Sequence, residues 1–76
     1  MTWEKFFPYQ RMMIYALLLA LRGFHKGKKK DIEWVLGGGM EHWITSAGLD
    51  LDPWEVIDLT PKQVEKGIRA LRSYDG

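Results

Sequence analysis

The chain of 76 residues contains no cysteine. A disulfide framework and thiolate metal sites are therefore excluded, and the composition suits a reducing compartment, so the cytoplasm is the expected location. Histidine is almost as scarce. His25 and His42 are the only two, and they do not stand one helical turn apart with a catalytic Glu, as a zinc hydrolase motif requires. His25 falls among lysines and reads as solvated, while His42 sits beside Trp43 in a surface or capping role. The carboxylates of Asp50, Asp52 and Asp58 lack the ladder of oxygen ligands and the sharp-turn glycine of a calcium loop. Gly37-Gly38-Gly39 is not followed by Gly-Lys-Ser/Thr, so it reads as a hinge or helix terminator rather than a phosphate loop. No catalytic residue, metal site or cofactor is assigned, and a non-enzymatic protein without a small-molecule substrate is expected.

A long hydrophobic run is also missing. The most apolar stretch, Met12 to Leu21, has ten residues and is closed by Arg11 and Arg22. As a helix it would span about 15 Å, against a bilayer core of about 30 Å. Its length would suit the apolar part of an export signal, but an aromatic segment of mixed charge precedes it. Arg22 also stands where small cleavage-site residues should follow. A buried helix is the expected reading, with no membrane partner.

What the chain does have is apolar bulk. Hydrophobic residues make up 46% of it, including four Trp, three Tyr, three Phe and four Met, far too many for intrinsic disorder. A domain this short buries only about 60% of the surface of its unfolded chain, so its margin of stability is thin. The net charge of +1 conceals strong segregation. Residues 22–30 carry Arg22, Lys26, Lys28, Lys29 and Lys30 with no acid. Residues 31–59 carry seven carboxylates with no Lys or Arg. Residues 60–76 are basic again through Lys62, Lys66, Arg69 and Arg72.

Periodicity and capping predict an all-α fold: a compact, helix-turn-helix-like bundle of four short helices, with three and five as bounds, in a single domain over residues 1–76. The first helix runs from Tyr9 to Phe24 and is apolar almost all round, which marks a central helix or one shared across an oligomer interface. A basic loop from His25 to Lys30 follows, and Asp31 is the expected N-cap of a short helix ending at Leu36. Met40, Trp43, Ile44 and Ala47 form the apolar stripe of a helix from Met40 to Ala47, with Gly48 as its left-handed C-cap. Asp52 and Pro53 open a helix of one or two turns through Val56 and Ile57. Thr60-Pro61 starts the last helix, which reaches Ser73, and Gln63 completes a capping box with Thr60. Gly67 weakens that helix by about 1 kcal/mol relative to Ala, which a close helix contact would explain.

Two helix-turn-helix registers are visible. In the first, Trp43, Ala47, Gly48, Leu49, Trp54 and Ile57 meet the packing needs, although Ile44 is large for the crossing point. Its reading helix would carry Asp52, Glu55 and Asp58, which repel phosphate. In the second, residues Val56 to Arg72 resemble the second and third helices of winged-helix regulators, over less than a quarter of the chain and without a following wing. Lys62, Gln63, Lys66 and Arg69 then line one exposed face opposite Val64, Ile68 and Leu71. Asp31-Ile32-Glu33-Trp34-Val35-Leu36, Met40-Glu41-His42-Trp43 and Ala47-Gly48-Leu49-Asp50 further resemble small bacteriophage-encoded helical proteins in which a Trp-Leu helix leads to a Trp-x-x-x-Ala-Gly-Leu-Asp-Pro turn. Here Leu51-Asp52 is inserted before Pro53. That resemblance implies a mobile-element origin and a host-cell setting.

The expected function is regulation by nucleic-acid binding. Lys62, Lys66, Arg69 and Arg72 would hold the phosphates of double-stranded DNA, Gln63 would lie nearest a base edge, and Lys28, Lys29 and Lys30 would add a phosphate clamp. The alternative is an inhibitor or adaptor that docks on a host protein, such as an enzyme or defence complex. It would use the acidic segment 31–59, with Trp34, Trp43 and Trp54 as anchors. Homodimerisation through the first helix is a third expectation.

Overall fold

A computed structural model describes residues 5–75. Five helices follow in order: α1 (Pro8–His25), α2 (Lys29–Leu36), α3 (Gly39–Ser46), α4 (Pro53–Ile57) and α5 (Pro61–Asp75). No strand occurs among the described residues, so the fold is all-α as expected, at the upper bound of the expected helix number. The radius of gyration is 11.8 Å, close to the value of about 11 Å for a compact chain of this length. None of these helices is long and apolar enough to cross a membrane.

The core is built around α1. Ile14, Leu17, Leu18 and Leu21 recur at helical spacing and are buried, and this stripe meets Val64, Ile68 and Leu71 of α5, which are equally buried. The two helices run antiparallel. Arg22 near the end of α1 reaches Glu65 near the start of α5, and Tyr15, farther back on α1, meets Arg72. Gly67 sets how closely they approach, because a Cβ there would lie 2.9 Å from Leu18 Cδ1. The helix-propensity cost of this glycine is therefore offset by a close crossing.

Glycine makes the turns that end α1 and α3. At the end of α1, Gly27 adopts φ +78°, its N–H donates to Phe24 O, and Lys28 N–H donates to Gly23 O. At the end of α3, Gly48 adopts φ +67°, with Gly48 N–H to Thr45 O and Leu49 N–H to Ile44 O. Each pair is the double hydrogen bond of a Schellman turn, which only a residue at ease with positive φ supports.

Two expected boundaries shift. The helix after the basic loop starts at Lys29, with Lys28 rather than Asp31 at the N-cap. The Schellman turn at Gly27 reverses the chain at once, and Lys28 O accepts the first helical bond from Ile32 N–H. Lysine is a good helix former, so nothing delays the start. Asp31 instead lies in the first turn, where its charge suits the positive helix end, and its carboxylate packs on the backbone of Gly23. The second shift concerns the triple glycine. Gly38 makes the turn at φ +94°, but Gly39 already belongs to α3 and lies beneath the Trp34 indole, leaving no room for a side chain.

The tryptophans of α2 and α3 are partly buried. Trp34 and Trp43 meet edge to face at 6.1 Å, and Trp43 Nε1 donates to Met13 O at 2.9 Å, tying α3 to α1. Trp54 is different, being 76% exposed.

Candidate nucleic-acid interface

The last helix starts as expected. Thr60 Oγ1 accepts from Gln63 N–H at 3.2 Å and Gln63 Oε1 accepts from Thr60 N–H at 2.9 Å, a complete capping box. With Val64, Ile68 and Leu71 held in the core, Lys62, Gln63, Lys66, Arg69 and Arg72 are all exposed. The capping box engages the side-chain oxygen of Gln63. Only its amide hydrogens remain for a base edge, so bidentate recognition of adenine, which needs an acceptor as well, would compete with the cap.

The antiparallel pairing brings the two basic segments to the same end of the molecule. A cleft of about 260 Å³ is lined by Arg22, His25 and Lys26 from α1 and its turn, and by Pro61, Val64 and Glu65 from α5. Lys62 and Lys66 flank the α5 side of this cleft in sequence, and the turn after Lys26 leads directly to Lys28. Lys28, Lys29 and Lys30 are exposed and occupy the N-cap and first turn of α2, with no side-chain cap. A helix N-terminus is the positive pole of the backbone dipoles and normally disfavours nearby cations. Three lysines there raise the local positive potential further. None of Lys28, Lys29, Lys30, Lys62, Lys66 and Arg69 has an ion-pair partner among the described residues.

Two of the basic groups are engaged. Arg22 Nη1 meets Glu65 Oε1 at 3.5 Å, both side chains being partly exposed, so the pair contributes at most about 1 kcal/mol. Arg72 Nε donates to the Tyr15 hydroxyl at 2.9 Å. That hydrogen bond, and then electrostatic attraction, raises the guanidinium above its ordinary value, so Arg72 is cationic throughout the range in which the protein would be handled. Ten residues separate Arg72 from Lys62, about 15 Å along the helix. Arg72 therefore stands apart from the basic end, on the flank of α1.

Sequence reasoning missed Arg22, His25 and Lys26 as part of this end, because the cleft exists only once α1 and α5 are paired. It placed Lys28 to Lys30 in a loop, whereas they launch a helix. His25 Nδ1 is buried without a hydrogen-bond partner among the described residues. His42 Nε2 lies 3.4 Å from Ser46 Oγ on the surface of α3. No group of three or more His, Cys, Asp or Glu among the described residues is arranged to hold a metal ion.

The two helix-turn-helix registers differ in packing. α3 packs against α4 across the Gly48 turn, whereas α5 packs chiefly on α1 rather than on α4. The shape of the first register is thus combined with an α4 of five residues that carries Glu55 and is bracketed by Asp52 and Asp58, all exposed.

Fold and surface together define an all-α five-helix bundle with one basic end. Compared with protein families, curated proteins and solved structures, the chain shows no significant match.

Proposed function

We propose that this is a non-enzymatic regulatory protein of bacteriophage type, acting in the host cytoplasm, that binds double-stranded DNA at its basic end. The observation that carries the reading is the convergence of the basic segment 22–30 with the start of α5. Duplex DNA presents a negative charge about every 1.7 Å along its axis, and a protein gains affinity by releasing the counterions those charges hold. Exposed Lys28, Lys29 and Lys30, which follow Lys26 in the chain, and exposed Lys62 and Lys66, next to Pro61 and Glu65, would supply the phosphate contacts at this end. Arg69 continues the line along α5, and Arg72 contributes only where the duplex bends toward α1. Gln63 supplies an amide donor rather than a two-point base contact, so affinity exceeds sequence discrimination.

The reading includes a dimer. α1 leaves Tyr9, Met12 and Ala16 exposed at i, i+3 and i+7, an apolar stripe opposite its core face. Two-fold pairing is the usual way for small helical DNA binders to engage two half-sites. Met12→Lys is expected to keep the fold, leave a monomer in sedimentation and lower DNA affinity. A wild-type monomer at high concentration removes the dimer without touching the basic end.

The main test is a gel shift with random and promoter-derived duplexes across a salt series. Log affinity should fall with log salt by about 0.9 per phosphate neutralised. Lys66→Glu with Arg69→Glu should abolish the shift. Absence of a complex at low salt would end the reading.

A further inference from the structure

Away from the basic end, the surface around α4 combines features that a solvated face does not need. Trp54 is 76% exposed and Leu36 64% exposed. Between them lies a cleft of about 210 Å³ whose walls include Val35, Met40 and Ile57, with Glu41 at its edge. An apolar cavity of about 150 Å³ suffices for a benzene-sized group, so this cleft has room for one large apolar side chain. Singly exposed apolar residues are ordinary. Two large ones flanking one cleft, with Val35, Met40 and Ile57 in its walls, form a patch.

The stretch that supplies the patch, residues 31–59, carries carboxylates and no Lys or Arg. Glu33, Glu41, Asp50, Asp52, Glu55 and Asp58 are exposed, and none has an ion-pair partner among the described residues. Asp52 caps α4 by accepting from Trp54 N–H at 3.0 Å. The other five have no such local use among the described residues. A cleft walled by Val35, Met40 and Ile57, with Glu41 in its lining, exposed Glu33 one helical turn before Leu36 and exposed Asp58 next to Ile57, disfavours nucleic acid and acidic partners and is complementary to a segment that carries apolar anchors between cations.

We infer that the cleft between α2, α3 and α4 is a docking site for a basic amphipathic segment of another protein. A leucine- or phenylalanine-sized side chain enters between Leu36 and Trp54, and flanking Lys or Arg residues face Glu33, Glu41 and Asp58. Helical segments bind such grooves through apolar residues at i, i+3 or i+4 and i+7, and the exposed aromatic supplies rigid contact area of the kind that dominates binding energy. A second copy of this chain fits less well. Its basic helix face on α5 displays no large apolar residue among the described residues, the exposed ones being Phe7, Tyr9, Met12, Leu36 and Trp54. The site does not depend on the DNA-binding reading and would couple that end of the molecule to a partner on another face.

The test uses fluorescence anisotropy of a labelled 18-residue Leu/Lys amphipathic helix as probe, with a Lys/Ser peptide of equal charge and a Leu/Glu peptide for comparison. The full-length protein should bind the Leu/Lys peptide and neither of the others. Trp54→Ala and Leu36→Ala, both at exposed positions, should each weaken binding about tenfold or more. Glu33→Gln with Glu41→Gln should weaken it and flatten its salt dependence, while Lys62→Glu with Lys66→Glu should leave it intact. Equal binding of the Lys/Ser peptide would overturn the inference, as would affinity unchanged by Trp54→Ala and Leu36→Ala. A self-association of the protein alone that Trp54→Ala abolishes would assign the patch to a second copy and equally overturn it.

Discussion

Gln10 is the residue whose role is least visible in the sequence. It is 9% exposed and uses both ends of its amide. Its oxygen accepts from Phe7 N–H at 2.9 Å, closing the first turn of α1. Its nitrogen lies 3.2 Å from Ala47 O and 3.4 Å from Gly48 O, holding the Schellman turn of α3 against α1. These partners are 37 and 38 residues away, so no local pattern could mark the tie between Gln10 and that turn. Local pattern does mark Gly48, since a glycine directly after an apolar stripe signals the left-handed cap it provides. Gln10→Ala removes the donor to the buried Ala47 carbonyl and should cost about 1–3 kcal/mol, read as a lower urea midpoint with an unchanged slope. Gly48→Ala forces a Cβ into positive φ and should cost about 1 kcal/mol. A stability equal to wild type in Gln10→Ala would show that the turn is held by other contacts.

At the scale of elements, the helices were legible wherever cap and stripe coincide. Thr60, Pro61 and Gln63 located the start of α5, and Asp52-Pro53 that of α4, because each cap is a contact within three residues. The start of α2 was misplaced because Asp31 looks like a cap but lies against Gly23 of another helix, and only the tertiary turn reveals that. Thr60→Ala should lower stability by about 1 kcal/mol through loss of the capping box, measurable by thermal melting. α4 is the weak element. Its five residues have the cleft beside Trp54 on one flank and an apolar cleft of about 160 Å³ on the other, lined by Phe6, Ile14, Leu18 and Val56 with Asp52 and Glu55. Segments with few buried contacts open with low free energy. Amides of α4 should therefore exchange hydrogen faster than those at the centres of α1 and α5. Equal protection would mean that α4 is fixed more firmly than its packing implies.

At the scale of the whole molecule, segregated charge is the organising feature, and the sequence showed the segments without showing how they meet. Residues 22–30 and 60–69 are separated by the entire acidic stretch, yet pairing of α1 with α5 sets Arg22, His25 and Lys26 across one cleft from Pro61, Val64 and Glu65. The acidic stretch, with its exposed Trp54, is thereby left to form its own surface. Which basic residues share an end of the molecule depends on an antiparallel helix contact in which Gly67 meets Leu18, a packing relation that charge counting does not contain. The central claim is that both basic segments act as one DNA-binding surface. Its most direct test measures duplex affinity against salt for the wild type, Lys29→Glu, Lys66→Glu and the double variant. Each single variant should lower the salt slope by about 1, and the double variant should lower it by about 2, uniformly across DNA sequences. A slope that responds to Lys66→Glu but not to Lys29→Glu, or no salt-dependent binding in the wild type, would contradict the claim.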